Sequence, residues 1–446
     1  MSKSSYSDKV FTILEHKLDK LDKIKHDKGL LTKDSYFTRE KKKLDFKEDM
    51  KILMSIGSSS LSKELLSYFD FDDQSVSLPG FIRSRSKIKE EAFIELLKMT
   101  NKACPCDKTY KGYRLLAVDG SDLTIFTDPD DPDSYEKYGN KEIGFNNYHL
   151  NCLYDILNHR YLDNIIQPLR KEDEKLAMLT MAERYGGDKA VFIADRGYET
   201  FNNFEHLKKT GHKFLIRVRD IDSGTSLLKS FRSLPKEGEF DEDVHIILTN
   251  RQTNEIKAHP ELYKMIMTNQ RFDFLDKDNH FYEADYRVVR IRINGKDEEY
   301  ESLVTNLDRK QFPASVIKEL YKLRWDIEVS YRHLKYSIDL NALHSRRRDF
   351  IKQEIWARMI MFNISMIIID HIQNKKLEKK KRKLEYKINI SMAIFLIKEY
   401  MVKRKDGDPP DLESLIASKI LPERSDRHYS RNVRAQRFVS FGYRFN

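Results

Sequence analysis

Apolar residues change their spacing along the chain, and each change predicts a different structure. In VFTILEHKL, LSKELLSYF and EEAFIELLKM they recur every three or four positions, which predicts a mainly helical region over residues 1–110. From residue 113, short apolar runs (YRLLAVD, AVFIAD, KFLIRVR) alternate with helical patterns, and YHLNCLYDIL turns at Asn158-His159 into YLDNIIQP as a hairpin would. We therefore predict an α/β core with a mixed sheet, in two parts over residues 111–217 and 301–375.

The remaining regions predict a β-rich insertion and a basic C-terminus. Alternating segments such as DVHIILT and YRVVRIRI favour strands over residues 218–300. Residues 376–446 form a helical region and tail that contain most of KKLEKKKRKLEYK and all of RSDRHYSRNVRAQRF. The apolar stretch Trp356 to Ile372 carries Arg358, Asn363 and Asp370, so it is interpreted as a buried helix rather than a membrane span.

Positive charge is concentrated towards the C-terminus. The formal net charge is +10, and residues 341–446 alone hold 24 basic and 12 acidic residues. Such a region suits a polyanion, although a solvated helix surface rich in lysine is the alternative. The short helix predicted near residue 83 carries four basic residues and suggests a helix-turn-helix in the N-terminal region, with an ordinary basic helix pair as the alternative. The basic residues are Arg83, Arg85, Lys87 and Lys89.

Cysteine content indicates a reducing compartment. The three cysteines, Cys104, Cys106 and Cys152, are too few for a disulfide framework, and the pair at 104 and 106 lacks a second pair for zinc. The N-terminal residues show no apolar core of signal-peptide length. We therefore expect a cytoplasmic protein.

Two aspartates follow buried apolar runs. Asp119 closes LLAVD and Asp195 closes VFIAD. A carboxylate at a sheet rim is costly unless it is paired, hydrogen-bonded or bound to metal, and α/β sheets place their ligands at such positions. A helix N-cap is the alternative for Asp195. Two such acids on neighbouring strands favour a shared cation.

A third acid lies on a predicted helix with basic and aromatic neighbours. At ~100° per residue, Tyr321, Arg324, Glu328 and Lys335 project within roughly 60° of arc, and the stripe is about 21 Å long. That length follows several phosphates of a DNA strand. The alternative is a solvated edge on which Arg324 and Glu328 form an ordinary ion pair. Asp326 lies about 160° from Glu328 on the same wheel and is excluded from the site.

These motifs resemble those of the insertion-sequence 4 family of DDE transposases. The spacing Tyr321-(2)-Arg324-(3)-Glu328-(6)-Lys335 is similar to that family's Y-R-E-K signature, and AVDGSDL and ADRGY are similar to its two aspartate motifs. The likeness extends to FTREKKKLDF, HLNCLYD and LVTNL and so covers nearly the whole chain. It implies a ribonuclease-H-like core in which Asp119, Asp195 and Glu328 bind two Mg²⁺ or Mn²⁺ ions.

The resemblance also implies a function and partners. We expect cut-and-paste transposition on double-stranded DNA, with the terminal inverted repeats and the target as substrates and a homodimer on the DNA. Arg324 and Lys335 would grip phosphates, and Tyr321 would donate a hydrogen bond to one. Trp325 either stacks on a base extruded at a hairpin end or anchors the helix in the core.

Two rival functions remain open from the sequence. One is a ribonuclease-H-like nuclease that does not join strands, and the other is an inactive descendant that binds DNA and regulates transcription. His149 and His206 belong to no metal-ligand spacing and are interpreted as hydrogen-bonded structural histidines.

Overall fold

The structure is a computed structural model that describes residues 5–38, 43–72, 75–104, 107–137, 144–293, 299–374, 386–403 and 411–422. The basic segment at 375–385 and the Arg-rich tail at 423–446 lie outside the described residues. The helices are α1 (Tyr6–Ile24), α2 (Phe46–Ser55), α3 (Leu61–Tyr68), α4 (Leu78–Arg85), α5 (Glu90–Ala103), α6 (Glu174–Arg184), α7 (Phe201–Lys209), α8 (Asn254–Ala258), α9 (Ala314–Leu323), α10 (Trp325–Tyr336), α11 (Arg348–Ile372), α12 (Ile390–Lys403) and α13 (Leu412–Ser418). The strands are β1 (Arg114–Ile125), β2 (Tyr135–Glu136), β3 (Phe145–Asp155), β4 (Arg160–Pro168), β5 (Ala190–Ala194), β6 (Lys213–Val218), β7 (Phe240–Thr249), β8 (Tyr263–Met265), β9 (Phe281–Arg292), β10 (Tyr300–Thr305), β11 (Tyr386–Ile388) and β12 (Ile420–Pro422).

The core is a mixed sheet with the strand order β4-β3-β1-β5-β6. The first three strands form an antiparallel meander, and β5 and β6 then run parallel to β1 and β5 respectively. Helices α6 and α7 connect the parallel strands, because parallel neighbours need a crossover. Three antiparallel strands followed by two parallel ones are the ribonuclease-H-like order, so the predicted fold class is confirmed. The predicted hairpin at Asn158-His159 is the β3-β4 connection.

The β-rich segment extends the same sheet. Strand β10 pairs antiparallel with β6, β9 pairs with β10, and β7 pairs with β9. The alternating pattern over residues 218–300 therefore predicts strands correctly, and their partners lie at the edge of the core. Aromatic residues of this segment pack with α7 into one apolar cluster, in which Phe201, Phe204 and Tyr286 make ring contacts.

Helix α11 forms the centre of the second apolar layer. It is long and apolar enough to cross a membrane by length and composition, but 89% of its most apolar window is buried inside the protein. It packs against α1, α2 and α5 of the N-terminal region and against β4. The sequence interpretation of this stretch as a buried helix is therefore correct.

One residue of the predicted basic surface in the N-terminal region is buried instead of exposed. Arg85 is 1% exposed, and its guanidinium donates to Glu354 at 3.2 Å and to the Phe350 carbonyl at 3.0 Å. It holds α4 to α11 and is unable to contact DNA. Residues 69–77 separate α3 from α4, which is longer than the three- or four-residue turn of a helix-turn-helix. The sequence predicts a basic helix here, but it does not show that Arg85 pairs with Glu354 far along the chain.

Candidate active site

Asp119 and Asp195 lie side by side at one edge of the sheet. Strand β1 pairs with β5 in parallel as far as Ala117 opposite Ile193, and each aspartate comes two residues later on its own chain. Asp119 does not end its strand, as the apolar run suggests, because β1 continues to Ile125 in its pairing with β3. The site therefore opens where β5 leaves β1. Asp195 also caps a short 3₁₀ turn, accepting a hydrogen bond from Gly197 N at 2.8 Å.

Glu328 reaches these acids because α10 is anchored to β1 one turn further on. The hydroxyl of Tyr331 donates to the carbonyl oxygen of Asp119 itself at 2.7 Å. Residues three apart share a helix face, so this bond holds Glu328 on the side that faces the aspartates. Ser330 adds a second anchor through the buried hydroxyl of Tyr161 at 2.8 Å.

The electrostatics of Asp119 reflect the convergence of the three acids. Its pKa is raised to about 7, chiefly by burial and then by the negative charges of Asp195 and Glu328, against the opposing charge of Arg324. Within the described part of the chain, the carboxylates of Asp119 and Asp195 form no ion pair with a basic side chain. A half-buried acid without a basic partner, beside two other acids, is unfavourable without a counter-charge.

Arg324 separates two helices that the sequence predicts as one. The hydrogen bonds there join Arg324 N to the Tyr321 carbonyl and Ile327 N to the Arg324 carbonyl, each three residues apart, so the helix tightens locally. The angular positions calculated for one ideal helix therefore do not apply to residues on opposite sides of Arg324. The guanidinium donates to Glu328 Oε1 at 2.9 Å. The Tyr321 hydroxyl is buried without a hydrogen-bond partner among the described residues.

The amino group of Lys335 contacts β1, whereas the side chain of Trp325 is exposed to solvent. The amino group of Lys335 donates to Ser121 Oγ at 2.7 Å and to the Asp122 carbonyl at 2.6 Å, which ties α10 to β1 a second time. Burial lowers the pKa of Lys335. Trp325 is 44% exposed, so it is not a buried anchor of the helix.

A histidine and further acids surround the aspartates. His149 Nδ1 lies 2.7 Å from Asp122 Oδ1 and 3.5 Å from Glu172 Oε2, and the potential ligand atoms of these three residues lie within 4.8 Å of one another. His149 Nε2 lies 2.9 Å from Glu174 Oε1 without the alignment of a hydrogen bond. Burial opposes a charged ring, but the hydrogen bond to Asp122 and the nearby carboxylate of Glu174 raise the pKa of His149 to about 9.

Two predicted exclusions agree with the structure. Asp326 lines a cavity on the other side of α10 with Tyr154 and His159. His206 lies 2.9 Å from Asp273 Oδ2 and is a structural histidine, as predicted.

The sequence interpretation did not single out Glu174, Tyr198 or Tyr331. For Glu174 a usable signal exists, because this acid follows β4, which runs parallel to β1 and ends at the same rim.

The residues at the rim fit a divalent cation. Their donors are carboxylate oxygens, which hard cations such as Mg²⁺ prefer. The hydroxyl of Tyr198 is buried with no hydrogen-bond partner in the described ranges, and the charges of Glu174, Asp119 and Asp195 help to raise its pKa. A polar atom left unpaired beside several acids indicates space for a small polar ligand.

Comparison with known proteins gives the class of this chain. The model of the "Transposase DDE domain" family matches residues 110–364. The transposase InsG for insertion sequence element IS4 of Escherichia coli K12 is 20% identical over 380 residues, which cover 80% of this chain and 77% of that protein. The transposase for insertion sequence element IS231E of Bacillus thuringiensis subsp. finitimus is 21% identical over 267 residues, 56% of this chain and 54% of that protein. A solved piggyBac transposase synaptic complex with hairpin DNA matches with a TM-score of 0.44 and 11% identity over 96% of this chain and 87% of that one.

A ribonuclease-H-like sheet with acids at its rim and a match to this domain over more than half of the chain define a DDE transposase. The chain belongs to the insertion-sequence 4 family of DDE transposases. Membership of this family implies the use of divalent metal ions and the binding of DNA.

Proposed function

We propose that the protein cleaves the ends of its element and joins them to target DNA, with Asp119, Asp195 and Glu328 as the catalytic, metal-binding triad. The observation that supports this proposal best is the contact between Tyr331 and the Asp119 carbonyl, which brings a helix acid to two strand acids. Family membership supports transposition, and the geometry supports these three residues over Asp326 and the exposed acids elsewhere.

Each residue of the triad would hold its carboxylate in a different way. Asp119 is fixed by the strand pairing of β1, Asp195 by its cap on Gly197, and Glu328 by its ion pair with Arg324. Bound there, two Mg²⁺ or Mn²⁺ ions would supply stabilisation of both the attacking and the leaving oxygen of an in-line phosphoryl transfer. Rigid placement matters because small displacements of catalytic groups slow such reactions strongly.

The DNA would lie along α10 and the tightened turn before it. Trp325 is the exposed aromatic residue of that turn and would stack on an unpaired base near the cleaved end. On binding DNA, Arg324 and Lys335 would exchange some of their present hydrogen bonds for contacts with phosphates. The Tyr321 hydroxyl would also donate a hydrogen bond to a phosphate. We propose the terminal inverted repeats as the bound ends and a homodimer as the assembly that pairs them.

Strand joining tests the proposed function against a simple nuclease. Purified full-length protein is incubated with Mg²⁺, a pre-nicked element end bearing a 3′-hydroxyl, and a supercoiled plasmid. The expected result is a covalent product of end and plasmid, and a denaturing gel of the donor also shows whether hairpin ends form. Hydrolysis without joined product would favour the nuclease, and binding of the ends without cleavage would favour an inactive regulator.

A matched pair of variants tests the triad. Asp195→Asn is expected to bind element ends nearly as the wild type does and to lose metal-dependent cleavage. Asp188→Asn makes the same chemical change just before β5 at an exposed residue, whose partner is Arg114 at 3.2 Å, and is expected to keep cleavage. Cleavage retained by Asp195→Asn would place the reaction elsewhere.

A further inference from the structure

Glu174 occupies the same rim of the sheet as the two aspartates. It is the first residue of α6, which follows β4 after a short connection. Since β4 and β1 both pair antiparallel with β3, they run in the same direction and end at the same side. The start of α6 is therefore directed to the edge at which Asp119 and Asp195 meet.

Two glycines beside the aspartates leave room for the Glu174 carboxylate. A Cβ atom on Gly120 would collide with Glu174 Oε1 and with the ring of His149, whose Cε1 would lie 2.6 Å away. A Cβ atom on Gly197 would lie 3.3 Å from Glu174 Oε2 and 3.0 Å from Asp195 Oδ1. The two oxygens of one carboxylate thus lie beside Gly120 and Gly197, which are one and two residues from the two aspartates.

The surroundings of Glu174 combine one histidine with several acids and an unpartnered hydroxyl. His149 Nε2 lies 2.9 Å from Oε1, and Oε2 lies on the side of Gly197, whose amide donates to Asp195. The buried, unpartnered hydroxyl of Tyr198 lies within the electrostatic influence of Glu174, Asp119 and Asp195. An orphaned hydroxyl and converging carboxylate oxygens are the surroundings of a bound cation with ordered water.

We propose that Glu174 is a fourth carboxylate of the metal centre and that His149 is the positioning residue that aims it. This inference rests on the proposed function. Residues that contact a metal ligand and fix its direction typically change metal affinity 10–100-fold when they are removed. The competing interpretation is that Glu174 is an ordinary acid in the first turn of α6, where the helix dipole stabilises it.

Binding of Mn²⁺ by the full-length protein separates the two interpretations without a measurement of activity. Electron paramagnetic resonance of free Mn²⁺ gives the bound fraction in a titration. Loss of a ligand should cost at least as much affinity as loss of the partner that positions it, so Glu174→Gln is expected to weaken binding of at least one ion by about 10-fold or more. The control Glu183→Gln makes the same change at the exposed, far end of α6 and is expected to bind as the wild type does. Wild-type binding by Glu174→Gln would overturn the proposal.

A second variant tests the positioning role of His149. His149→Ala frees Glu174 and is expected to weaken Mn²⁺ binding, but less than Glu174→Gln does. If the histidine only repels the ion, the same variant binds Mn²⁺ more tightly, which would overturn its positioning role. Circular dichroism and the melting temperature of each variant establish that it is folded.

Asp195→Asn separates failure of this inference from failure of the proposed function. If Asp195→Asn weakens Mn²⁺ binding and Glu174→Gln does not, the triad remains and the fourth carboxylate is wrong. If Asp195→Asn leaves binding unchanged while Glu172→Gln abolishes it, the ion belongs to the group formed by Asp122, His149 and Glu172, and both proposals fail.

Discussion

Replacement of Gly120 by alanine tests the crowded contact next to Asp119. The added methyl group would lie 2.6 Å from His149 Cε1 and closer still to Glu174 Oε1. Ordinary carbon contacts are about 3.5–4.0 Å, so the histidine ring has to move by about 1 Å. A displacement of that size near reacting groups reduces rates by about 100-fold, whereas overpacking typically lowers stability by about 1–3 kcal/mol. We therefore expect a loss of activity much larger than the loss of stability.

The assay for Gly120→Ala is single-turnover cleavage of an element end with enzyme in excess, together with urea denaturation. Gly186→Ala is the matched control, because no atom lies within 4 Å of its added methyl group. The control is expected to cleave at the wild-type rate and to be as stable or up to about 1 kcal/mol more stable. Wild-type cleavage by Gly120→Ala would refute the crowding, and so would an equal loss of rate in both variants.

Three further predictions concern the rest of the molecule. Arg85→Ala removes one of the two basic partners of the buried carboxylate of Glu354, whose other oxygen keeps His344 at 3.1 Å, and is expected to lower the free energy of unfolding by about 3 kcal/mol in urea denaturation; a loss below about 1 kcal/mol would contradict the role of this ion pair. Burial raises the pKa of Asp49 to about 7 from 3.8, so the folded protein keeps a proton that the unfolded chain releases, and stability falls as the pH rises between these values. Asp49→Asn is expected to remove this fall, worth up to about 4 kcal/mol above pH 7, and melting curves from pH 4 to 8 with the same slope for both proteins would contradict it. Lys335→Ala is expected to weaken DNA binding and to reduce the salt dependence by about one unit if its amino group exchanges Ser121 for a phosphate; an unchanged salt slope would argue for a purely internal role.

The elements of the core follow from local patterns in the sequence. The apolar runs before Asp119 and Asp195 form β1 and β5, because short apolar segments next to helices favour buried parallel strands. Their pairing also brings the two aspartates to the same level. The continuation of β1 to Ile125 is not visible in this way, because GSDLTI is mixed in polarity and its strand conformation depends on pairing with β3.

The contacts that complete the site depend on residues far apart in the chain. Tyr331 meets the Asp119 carbonyl across 212 positions, and Arg85 meets Glu354 across 269. No periodicity encodes such pairs, so Arg85 looks like a basic surface residue and Tyr331 like an ordinary core tyrosine. Glu174 was passed over for a different reason, because an acid in the first turn of a helix already has a local explanation.

The position of bound Mn²⁺ tests the central claim most directly. Crystals of the full-length protein soaked in Mn²⁺ and measured at a wavelength that enhances anomalous scattering locate the ions without any functional assay. We expect anomalous peaks within about 2.0–2.6 Å of carboxylate oxygens of Asp119, Asp195 and Glu328, the usual length of bonds from oxygen to such cations. Peaks confined to Asp122, His149 and Glu172, with none at the three acids, would contradict the assignment of the catalytic site.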